Sequence, residues 1–223
     1  MTLKLQRRGL VVSCQARADN PLHGALFMGA MALAARDGGA AAIRANGADD
    51  VRAVKAAGLP VIGIDKQFSP DVPVYITPTL AACDALAAAG ADVIGIDATR
   101  RARRGDAPEI LIRHIRETLG LEVFCDIATC EEGIAAAQMG ATYVATTLSG
   151  YTDDTRRDDD LPDYALIEAL SARIETPVIA EGRLSTPERV RRALDCGAYA
   201  VVVGTAITNP REITRGFVRQ IEG

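Results

Sequence analysis

The chain has few of the side chains that proteins use to bind transition metals. Its 223 residues include two histidines and five cysteines. The cysteines are scattered, and Cys125 and Cys130 are too far apart to form a C-x-x-C pair. Because zinc sites are built from closely spaced cysteine and histidine ligands, no metal site is expected. Cys14 and Cys125 lie in apolar segments, so we expect small buried side chains and not nucleophiles.

The sequence also lacks long apolar segments and an excess of basic residues. No run approaches the roughly 20 apolar residues that span a membrane, and the N-terminal apolar run is too short for a signal peptide. A cytoplasmic location is therefore expected. The formal net charge is −4, from 25 basic and 29 acidic residues, which argues against a nucleic-acid-binding surface. An anionic substrate must then be captured by a local group of residues.

Eight short segments rich in β-branched residues alternate with longer segments rich in alanine and leucine. Each short segment is almost continuously apolar, as is typical of parallel strands that are covered on both faces. Gly-Ala precedes every second segment, and this alternation fits a barrel whose interior layers are filled by alternate strands. The predicted strands are LVVSCQ (10–15), AAIRAN (41–46), PVIGIDK (60–66), DVIGIDAT (92–99), EVFCDIA (122–128), TYVATTL (142–148), PVIAEG (177–182) and AYAVVVG (198–204).

The segments between the predicted strands carry helix start and stop signals. Thr186-Pro187 and Asn209-Pro210 each combine an N-cap residue with proline at the first helical position. An open doubly wound sheet is the alternative fold, but residues 13–24 after the first strand lack its glycine-rich fingerprint. We therefore predict a single (β/α)8 barrel (TIM barrel) domain over residues 1–223. Glycines stand where five helices are expected to end: Gly58, Gly90, Gly120, Gly140 and Gly197.

Three connections between predicted elements are unusual. Residues 67–77 (QFSPDVPVYIT) are long for a strand-to-helix loop and are expected to fold over the barrel mouth. Residues 149–163 (SGYTDDTRRDDDLPD) are highly charged and resemble a mobile lid, although a plain solvated loop fits 156–160 better. The basic run 99–106 (TRRARRGD) is interpreted as a solvated loop, with contact to a substrate or a neighbouring subunit as the alternative.

Two glycine-containing turns favour a phosphate-binding site. In barrels of this type the active site forms at the C-terminal ends of the strands, and phosphate often binds after strands seven and eight. Here the seventh strand leads into Gly182-Arg183 and the eighth into Gly204-Thr205. Glycine lets the backbone approach an anion, and a helix that starts near Thr205 would direct free N–H groups toward it. Glycine is also common in tight turns, but the two turns together favour phosphate binding.

Lys66 and Glu181 close the third and seventh predicted strands and are the candidate acid/base pair. An ammonium at the end of an apolar strand can lose hydration, which lowers its pKa as a lysine base requires. A lysine that extends to solvent is an equally good alternative. Arg44 and Asp126 also lie at strand ends and could pair across the mouth, either for function or as a structural ion pair. Gln15, which ends the first strand, belongs to the same group of polar strand ends.

Ten fragments in order resemble the N-acylglucosamine-6-phosphate 2-epimerase family, whose members are also called N-acetylmannosamine-6-phosphate 2-epimerases. The resemblance covers almost the whole chain. The combination of SGYT (149–152), AEGR (180–183) and VGTAIT (203–208) is its most distinctive part. The fragments are VVSCQ (11–15), PLH (21–23), AIRANG (42–47), VIGIDK (61–66), ITPTL (76–80), ADVIGIDAT (91–99), CDIAT (125–129), TTLSGYT (146–152), VIAEGR (178–183) and VGTAIT (203–208).

The resemblance implies interconversion of N-acetylmannosamine 6-phosphate and N-acetylglucosamine 6-phosphate, without a cofactor, in the breakdown of sialic acid. The partner is then a phosphorylated N-acetyl amino sugar, and we also expect a homodimer. Many relatives carry an acidic residue at the place of Asn46, so the pocket near the second strand is expected to differ in shape. By motif, the roles fall on Lys66 and Glu181 for catalysis, on Gln15, Arg44 and Asp126 for substrate positioning, and on Gly182, Arg183, Gly204 and Thr205 for phosphate binding.

Three other functions fit the sequence less well. A metal-dependent pentulose-phosphate 3-epimerase needs histidine and aspartate ligands at strand ends, and both histidines lie outside the predicted strands. A lyase or cyclase of amino-acid or thiamine biosynthesis would share only the phosphate turns. A non-catalytic phosphosugar-binding barrel would keep those turns and lose the acid/base pair, whereas Lys66 and Glu181 are both present.

Overall fold

The computed structural model describes residues 3–222, which form a closed barrel of eight parallel strands. The strands follow one another in chain order around the barrel, and β8 pairs with β1 to close it. The predicted (β/α)8 barrel is thus confirmed, and each strand is somewhat shorter than its predicted segment. The strands are β1 (Leu10–Cys14), β2 (Ala42–Asn46), β3 (Val61–Ile64), β4 (Val93–Asp97), β5 (Glu122–Asp126), β6 (Tyr143–Ala145), β7 (Val178–Glu181) and β8 (Ala200–Val203).

At least one helix follows every strand, and the expected capping signals mark several helix ends. Thr186 accepts a hydrogen bond from the Arg189 amide, and Pro187 starts the next helix, as predicted. No helix within residues 3–222 is both long and apolar enough to cross a membrane. The helices are α1 (Ala25–Asp37), α2 (Ala48–Val54), α3 (Leu80–Ala88), α4 (Pro108–Arg113), α5 (Cys130–Gln138), α6 (Tyr164–Ser171), α7 (Pro187–Asp195), α8 (Thr205–Thr208) and α9 (Pro210–Glu222), with 3₁₀ turns at Lys55–Ala57 and Asp153–Thr155 and a π-helical turn at His114–Thr118.

The N-terminal end of the barrel interior is filled by apolar side chains. Phe124 and Tyr143 are fully buried there, and Leu5, which precedes β1, packs against the same cluster. The Leu5 amide donates a hydrogen bond to the Tyr143 hydroxyl at 3.0 Å, and that hydroxyl donates to Glu122 at 2.7 Å. Because this end is plugged, a ligand can reach the interior only from the opposite, C-terminal end of the strands.

Toward the C-terminal end, the apolar interior gives way to a polar layer. Residues two positions apart on a strand share one face. Arg44 therefore follows Ala42 into the interior, Asp126 follows Phe124, and Glu181 follows Ile179, and all three of the earlier residues belong to the buried interior cluster. The sequence thus places three ionisable side chains above an apolar base, at the mouth of the barrel.

The connection after β3 forms a hairpin at this mouth, where the sequence predicted a covering loop. Lys66 and Ile76 form an antiparallel bridge, and the Gln67 amide donates to the Tyr75 carbonyl at 2.8 Å. The Asp97 amide in turn donates to the Ile76 carbonyl at 3.1 Å, which ties the hairpin to the end of β4. The hairpin therefore gives Lys66 a fixed backbone position.

The basic run 99–106 is only in part the solvated loop that the sequence suggested, because Arg101 and Arg103 are packed while Arg100 and Arg104 are exposed. Arg101 donates a hydrogen bond to the Asp97 carboxylate at 2.6 Å, and Arg103 donates to the Asp97 carbonyl at 3.0 Å. Both guanidinium groups are largely buried, because Asp97 is a buried carboxylate that requires cationic partners. This part of the run folds back onto the end of β4 and supports it.

The first part of the proposed lid is also packed, whereas the rest is open to solvent. Ser149, Gly150 and Thr152 are buried, and the Ser149 hydroxyl donates to Asp163 at 2.5 Å. Most of residues 156–160 are exposed, in agreement with the solvated loop expected there. The mobility of 149–163 stays a prediction.

Candidate active site

Arg44 forms the centre of the polar layer. Its side chain is only 1% exposed, and one end of its guanidinium donates to Asp126 Oδ2 at 2.7 Å. The other end donates to Glu181 Oε2. The expected pair across the mouth is therefore present, and it extends to a second carboxylate on β7. We refer to Asp126 and Glu181 as the carboxyl pair.

Gly95 on β4 packs closely against Ile64 and lies beside Arg44. A Cβ atom at Gly95 would lie 2.6 Å from Ile64 Cγ2 and 3.8 Å from Arg44 Nη2. The guanidinium lies over the face of the Phe124 ring, with Cζ 5.0 Å from the ring centre, which adds a cation–π contact from below. Arg44 thus has a defined place between an aromatic floor and two carboxylates.

Burial raises the pKa of both members of the carboxyl pair. Desolvation is the largest influence on each of them, and the positive charge of Arg44 opposes it. Asp126 is completely buried, whereas the side chain of Glu181 is 15% exposed. Glu181 is therefore the member of the pair that a molecule entering the mouth can reach.

Lys66 stands at the mouth beside this cluster. Its backbone amide donates to Asn46 Oδ1 at 2.9 Å, which links the end of β3 to the end of β2. Burial, together with the positive charge of Arg44, lowers the pKa of Lys66 to about 8, and the nearby negative charges of Glu181 and Asp126 act against this shift. The predicted desolvation of the Lys66 ammonium is therefore present, and an amine with such a pKa can take up and release protons near neutral pH.

Gln15 lies where β1 meets the end of β8. Its side-chain amide donates to Ser13 Oγ at 2.7 Å, while its buried Oε1 has no hydrogen-bond partner within residues 3–222. A Cβ atom at Gly204 would lie 3.4 Å from Ser13 Cβ, so the two strand ends are in close approach. Buried polar atoms normally have a partner, and Gln15 Oε1 is thus available to a ligand.

The two predicted phosphate turns differ in their geometry. Gly204 caps the N-terminus of α8, whose first N–H groups have no partner within the helix. In the other turn, Gly182 and Arg183 both have positive φ values, of 110° and 55°. The Arg183 guanidinium donates to the carbonyls of Ser149 and Gly150 at 3.1 and 2.9 Å, which ties this turn to the segment after β6.

One residue of this site was placed at a strand end by the sequence but given no role. Thr147 follows β6, and its hydroxyl lies 2.5 Å from Asp126 Oδ1 and 3.1 Å from Glu181 Oε2. It belongs to the TTLSGYT fragment, but a threonine at a strand end carries no signal that distinguishes it from an ordinary loop residue.

The site combines an amine of lowered pKa with two buried carboxyl groups and an arginine. Such a set can remove a proton from carbon, stabilise the negative charge that results and return a proton. Among the residues that the structure describes, no group of three or more His, Cys, Asp or Glu side chains is arranged to hold a metal ion.

Comparisons with known proteins agree on one family. A family model described as "Putative N-acetylmannosamine-6-phosphate epimerase" matches residues 28–223. The protein named "Putative N-acetylmannosamine-6-phosphate 2-epimerase" from Caldanaerobacter subterraneus subsp. tengcongensis is 48% identical over 217 residues, which are 96% of this chain and 91% of the relative.

The fold comparison gives the same result. The N-acetylmannosamine-6-phosphate 2-epimerase structure from Clostridium perfringens superposes with a TM-score of 0.93 at 44% identity, covering 97% of this chain and 94% of that one. A thiamine phosphate pyrophosphorylase from Pyrococcus furiosus covers the full length of both chains with a TM-score of 0.64, but at 17% identity this likeness concerns the fold alone.

Proposed function

The chain belongs to the N-acetylmannosamine-6-phosphate 2-epimerase family and is accordingly an isomerase, and we propose that it interconverts N-acetylmannosamine 6-phosphate and N-acetylglucosamine 6-phosphate. The observation that carries this proposal is the position of Lys66, an amine with a pKa of about 8, beside Arg44 and the carboxyl pair at the open mouth.

The chemical requirement explains why such a site is needed. The hydrogen on carbon 2 is not acidic in the closed sugar ring, but it is acidic in the open-chain aldehyde, where the carbanion is delocalised as an enolate. In one direction neutral Lys66 removes this proton, and Glu181 in its acid form supplies a proton to the opposite face. In the reverse direction the two residues exchange these roles. With a pKa of about 8, roughly a tenth of Lys66 is neutral at pH 7.

The remaining polar residues hold the sugar chain in place. Gln15 orients the hydroxyl and acetamido groups, and its Oε1 is free to accept a hydrogen bond from them. Asp126, which is completely buried, positions the sugar through Arg44, which it holds in place. Arg44 balances the negative charge that develops on the enolate oxygen and on the carboxyl pair. No cofactor takes part in this scheme, because every proton is carried by a side chain of the protein.

The phosphate is bound between the turns after β7 and β8. This assignment uses Gly182 and the backbone N–H of Arg183 in one turn, and Gly204 with the N–H of Thr205 in the other. The Arg183 guanidinium holds the 149–152 segment beside the site instead of contacting the phosphate. Fixing the phosphate places carbon 2 between Lys66 and Glu181, so that binding energy remote from carbon 2 assists the chemical step.

The proposal is tested by incubating the protein with N-acetylmannosamine 6-phosphate, without added metal or nucleotide, and following the two epimers by proton NMR. The wild type is expected to reach an equilibrium mixture. Lys66→Met should lose about a hundredfold or more in rate, whereas Lys4→Met, which changes an exposed lysine, should match the wild type. Folded wild-type protein that leaves the sugar phosphate unchanged would contradict the function, and an active Lys66→Met variant would contradict the role of Lys66.

We further propose that this reaction serves the breakdown of sialic acid in the cytoplasm, by a single barrel domain that forms a homodimer. The dimer is supported by apolar side chains that one copy leaves exposed on α9, where Phe217 is 71% and Ile221 is 84% exposed. Light scattering should then give twice the 23.5 kDa of one chain, and a monomer at micromolar concentration would refute the dimer. Cell fractionation tests the location, and growth of a deletion strain on sialic acid tests the metabolic role.

A further inference from the structure

Thr147 forms a second bridge between the two members of the carboxyl pair, in addition to Arg44. Its hydroxyl oxygen lies 2.5 Å from Asp126 Oδ1 and 3.1 Å from Glu181 Oε2. Arg44 binds the other oxygen of Asp126 and the same oxygen of Glu181. The two carboxyl groups are thus joined twice, once by a guanidinium that only donates hydrogen bonds and once by a hydroxyl that can both donate and accept.

The single hydroxyl hydrogen of Thr147 indicates which protonation state of the carboxyl pair fits this arrangement. A hydroxyl has one hydrogen, so Thr147 can donate to only one carboxylate, and its contact with the other would then set oxygen against oxygen. Both contacts become hydrogen bonds when one carboxyl group carries a proton and donates it to Thr147. One bound proton also gives Arg44 and the carboxyl pair a net charge of zero, which suits a buried site.

The other charged groups that face the pair have opposite effects on its protonation. The Lys66 ammonium acts on Glu181 and favours its ionised form, whereas the Asp97 carboxylate acts on Asp126 and favours its protonated form. Tyr75 of the hairpin faces Asp126 and is itself harder to ionise because it is buried. The pair therefore holds its proton mainly through burial, against the positive charges of Arg44 and Lys66. The Thr147 bridge favours the bound proton only because it makes two hydrogen bonds with the singly protonated pair and one with the ionised pair.

We propose that Thr147 is a positioning residue that lets Asp126 and Glu181 share one proton, so that Glu181 is kept in its acid form for the reaction at carbon 2. The proton moves without loss. When it passes from Glu181 Oε2 to Thr147 Oγ1, the hydrogen of Thr147 passes to Asp126 Oδ1, and the reverse transfer reloads Glu181. No hydroxyl ion or oxonium ion remains in either resting arrangement.

This inference rests on the proposed epimerase function, and its test compares Thr147→Val with Thr147→Ser. Valine keeps the shape of threonine without the hydroxyl, and serine keeps the hydroxyl. Thr147→Val should lower kcat roughly tenfold to a hundredfold, with KM changed by no more than about threefold. The singly protonated pair gains one more hydrogen bond from the bridge than the ionised pair does, so the pKa that the pair contributes to the pH profile of kcat should fall by about one unit in this variant. Thr147→Ser should keep the wild-type profile.

Several results would overturn the proposal. A wild-type pH profile in Thr147→Val, or an identical defect in Thr147→Ser, would show that the hydroxyl does not control the pair. If Thr147→Val does not fold, carbon-13 NMR of the carboxyl groups in the wild type decides the question without any turnover. One proton held by the pair at pH 7 is expected, and two fully ionised carboxylates would refute it. Failure of the epimerase function itself is separate, because it would appear as an inactive wild type.

Discussion

Lys66→Met is expected to stabilise the fold while it removes the activity. The wild type holds an ammonium group in a largely desolvated position beside Arg44, and this position lowers the pKa of Lys66 from 10.5 to about 8. Methionine fills a similar volume with an uncharged chain. The substitution therefore removes an unfavourable charge from the folded state, and with it the group that takes up the proton from carbon 2.

The expected gain can be worked from the pKa values. One pKa unit corresponds to about 1.4 kcal/mol, so the fall from 10.5 to about 8 represents roughly 3 kcal/mol. Lys66 is partly accessible to solvent, which screens the charge, and we therefore expect a gain of about 1 to 3 kcal/mol in the free energy of unfolding at pH 7.

The pH dependence identifies the origin of this gain. Below pH 8 the amine is charged in both the folded and the unfolded chain, so the whole penalty is present. Between about pH 8 and 10.5 the folded chain loses the proton before the unfolded chain does, and the wild type gains stability relative to the variant as the pH rises. Above pH 10.5 the Lys66 amine is neutral in both the folded and the unfolded chain, and its charge no longer destabilises the fold.

Urea unfolding of the wild type, Lys66→Met and the exposed-site control Lys4→Met, at several pH values from 7 to 10, measures this effect. Titrating groups remote from Lys66 contribute equally to all three proteins and cancel in the differences, and the carboxyl pair beside it titrates below this pH range in the unfolded chain. The difference between Lys66→Met and the wild type should shrink steadily above pH 8, and that of the control should stay flat. A Lys66→Met variant that is less stable than the wild type at pH 7, or a difference independent of pH, would refute the reasoning.

Two further substitutions test the structure around the carboxyl pair. Arg44→Met leaves both carboxyl groups buried without a cation and should lower the free energy of unfolding by about 3 to 5 kcal/mol at pH 7. The loss should be smaller at pH 5, where the pair takes up protons, and equal losses in urea unfolding at both pH values would contradict this. Gly95→Ala places a Cβ 2.6 Å from Ile64 Cγ2, so about 1 to 3 kcal/mol of the free energy of unfolding should be lost. Because Ile64 lies two residues before Lys66, the same shift should lower kcat. Gly38→Ala, where a Cβ would meet no atom closer than 3.4 Å, is the control and should change neither.

The barrel could be predicted from the sequence because its strands are short, nearly continuous apolar runs. Their ends could not be placed as well. The sixth run was drawn to residue 148, whereas β6 ends at Ala145. Apolarity alone does not show that the Thr146 hydroxyl turns to the Glu181 carbonyl, at 3.0 Å, and that Thr147 turns to the carboxyl pair. These side-chain hydrogen bonds lie just beyond the last residue of β6.

The grouping of Lys66, Arg44, Asp126 and Glu181 could also be predicted, since all lie at the C-terminal ends of parallel strands. Sequence position does not fix where a long side chain goes, however. Arg183 was predicted in the phosphate-binding turn, but its sequence position did not show that its guanidinium binds backbone carbonyls of the 149–152 segment. Arg101, expected in solvent, reaches the buried Asp97. Both contacts join loops that the closed barrel brings together, and a local sequence pattern does not predict contacts between distant loops.

In the proposed reaction, the protein moves a proton at carbon 2 between the sugar phosphate and its own side chains. The most direct test is to run the reaction on N-acetylmannosamine 6-phosphate in deuterated water and to read the hydrogen at carbon 2 of the product by proton NMR. We expect the wild type to form N-acetylglucosamine 6-phosphate that carries deuterium at carbon 2, and we expect Lys66→Met to form no such product. A product that keeps its original hydrogen at carbon 2 would contradict proton transfer from Glu181, because a proton supplied by Glu181 must come from solvent.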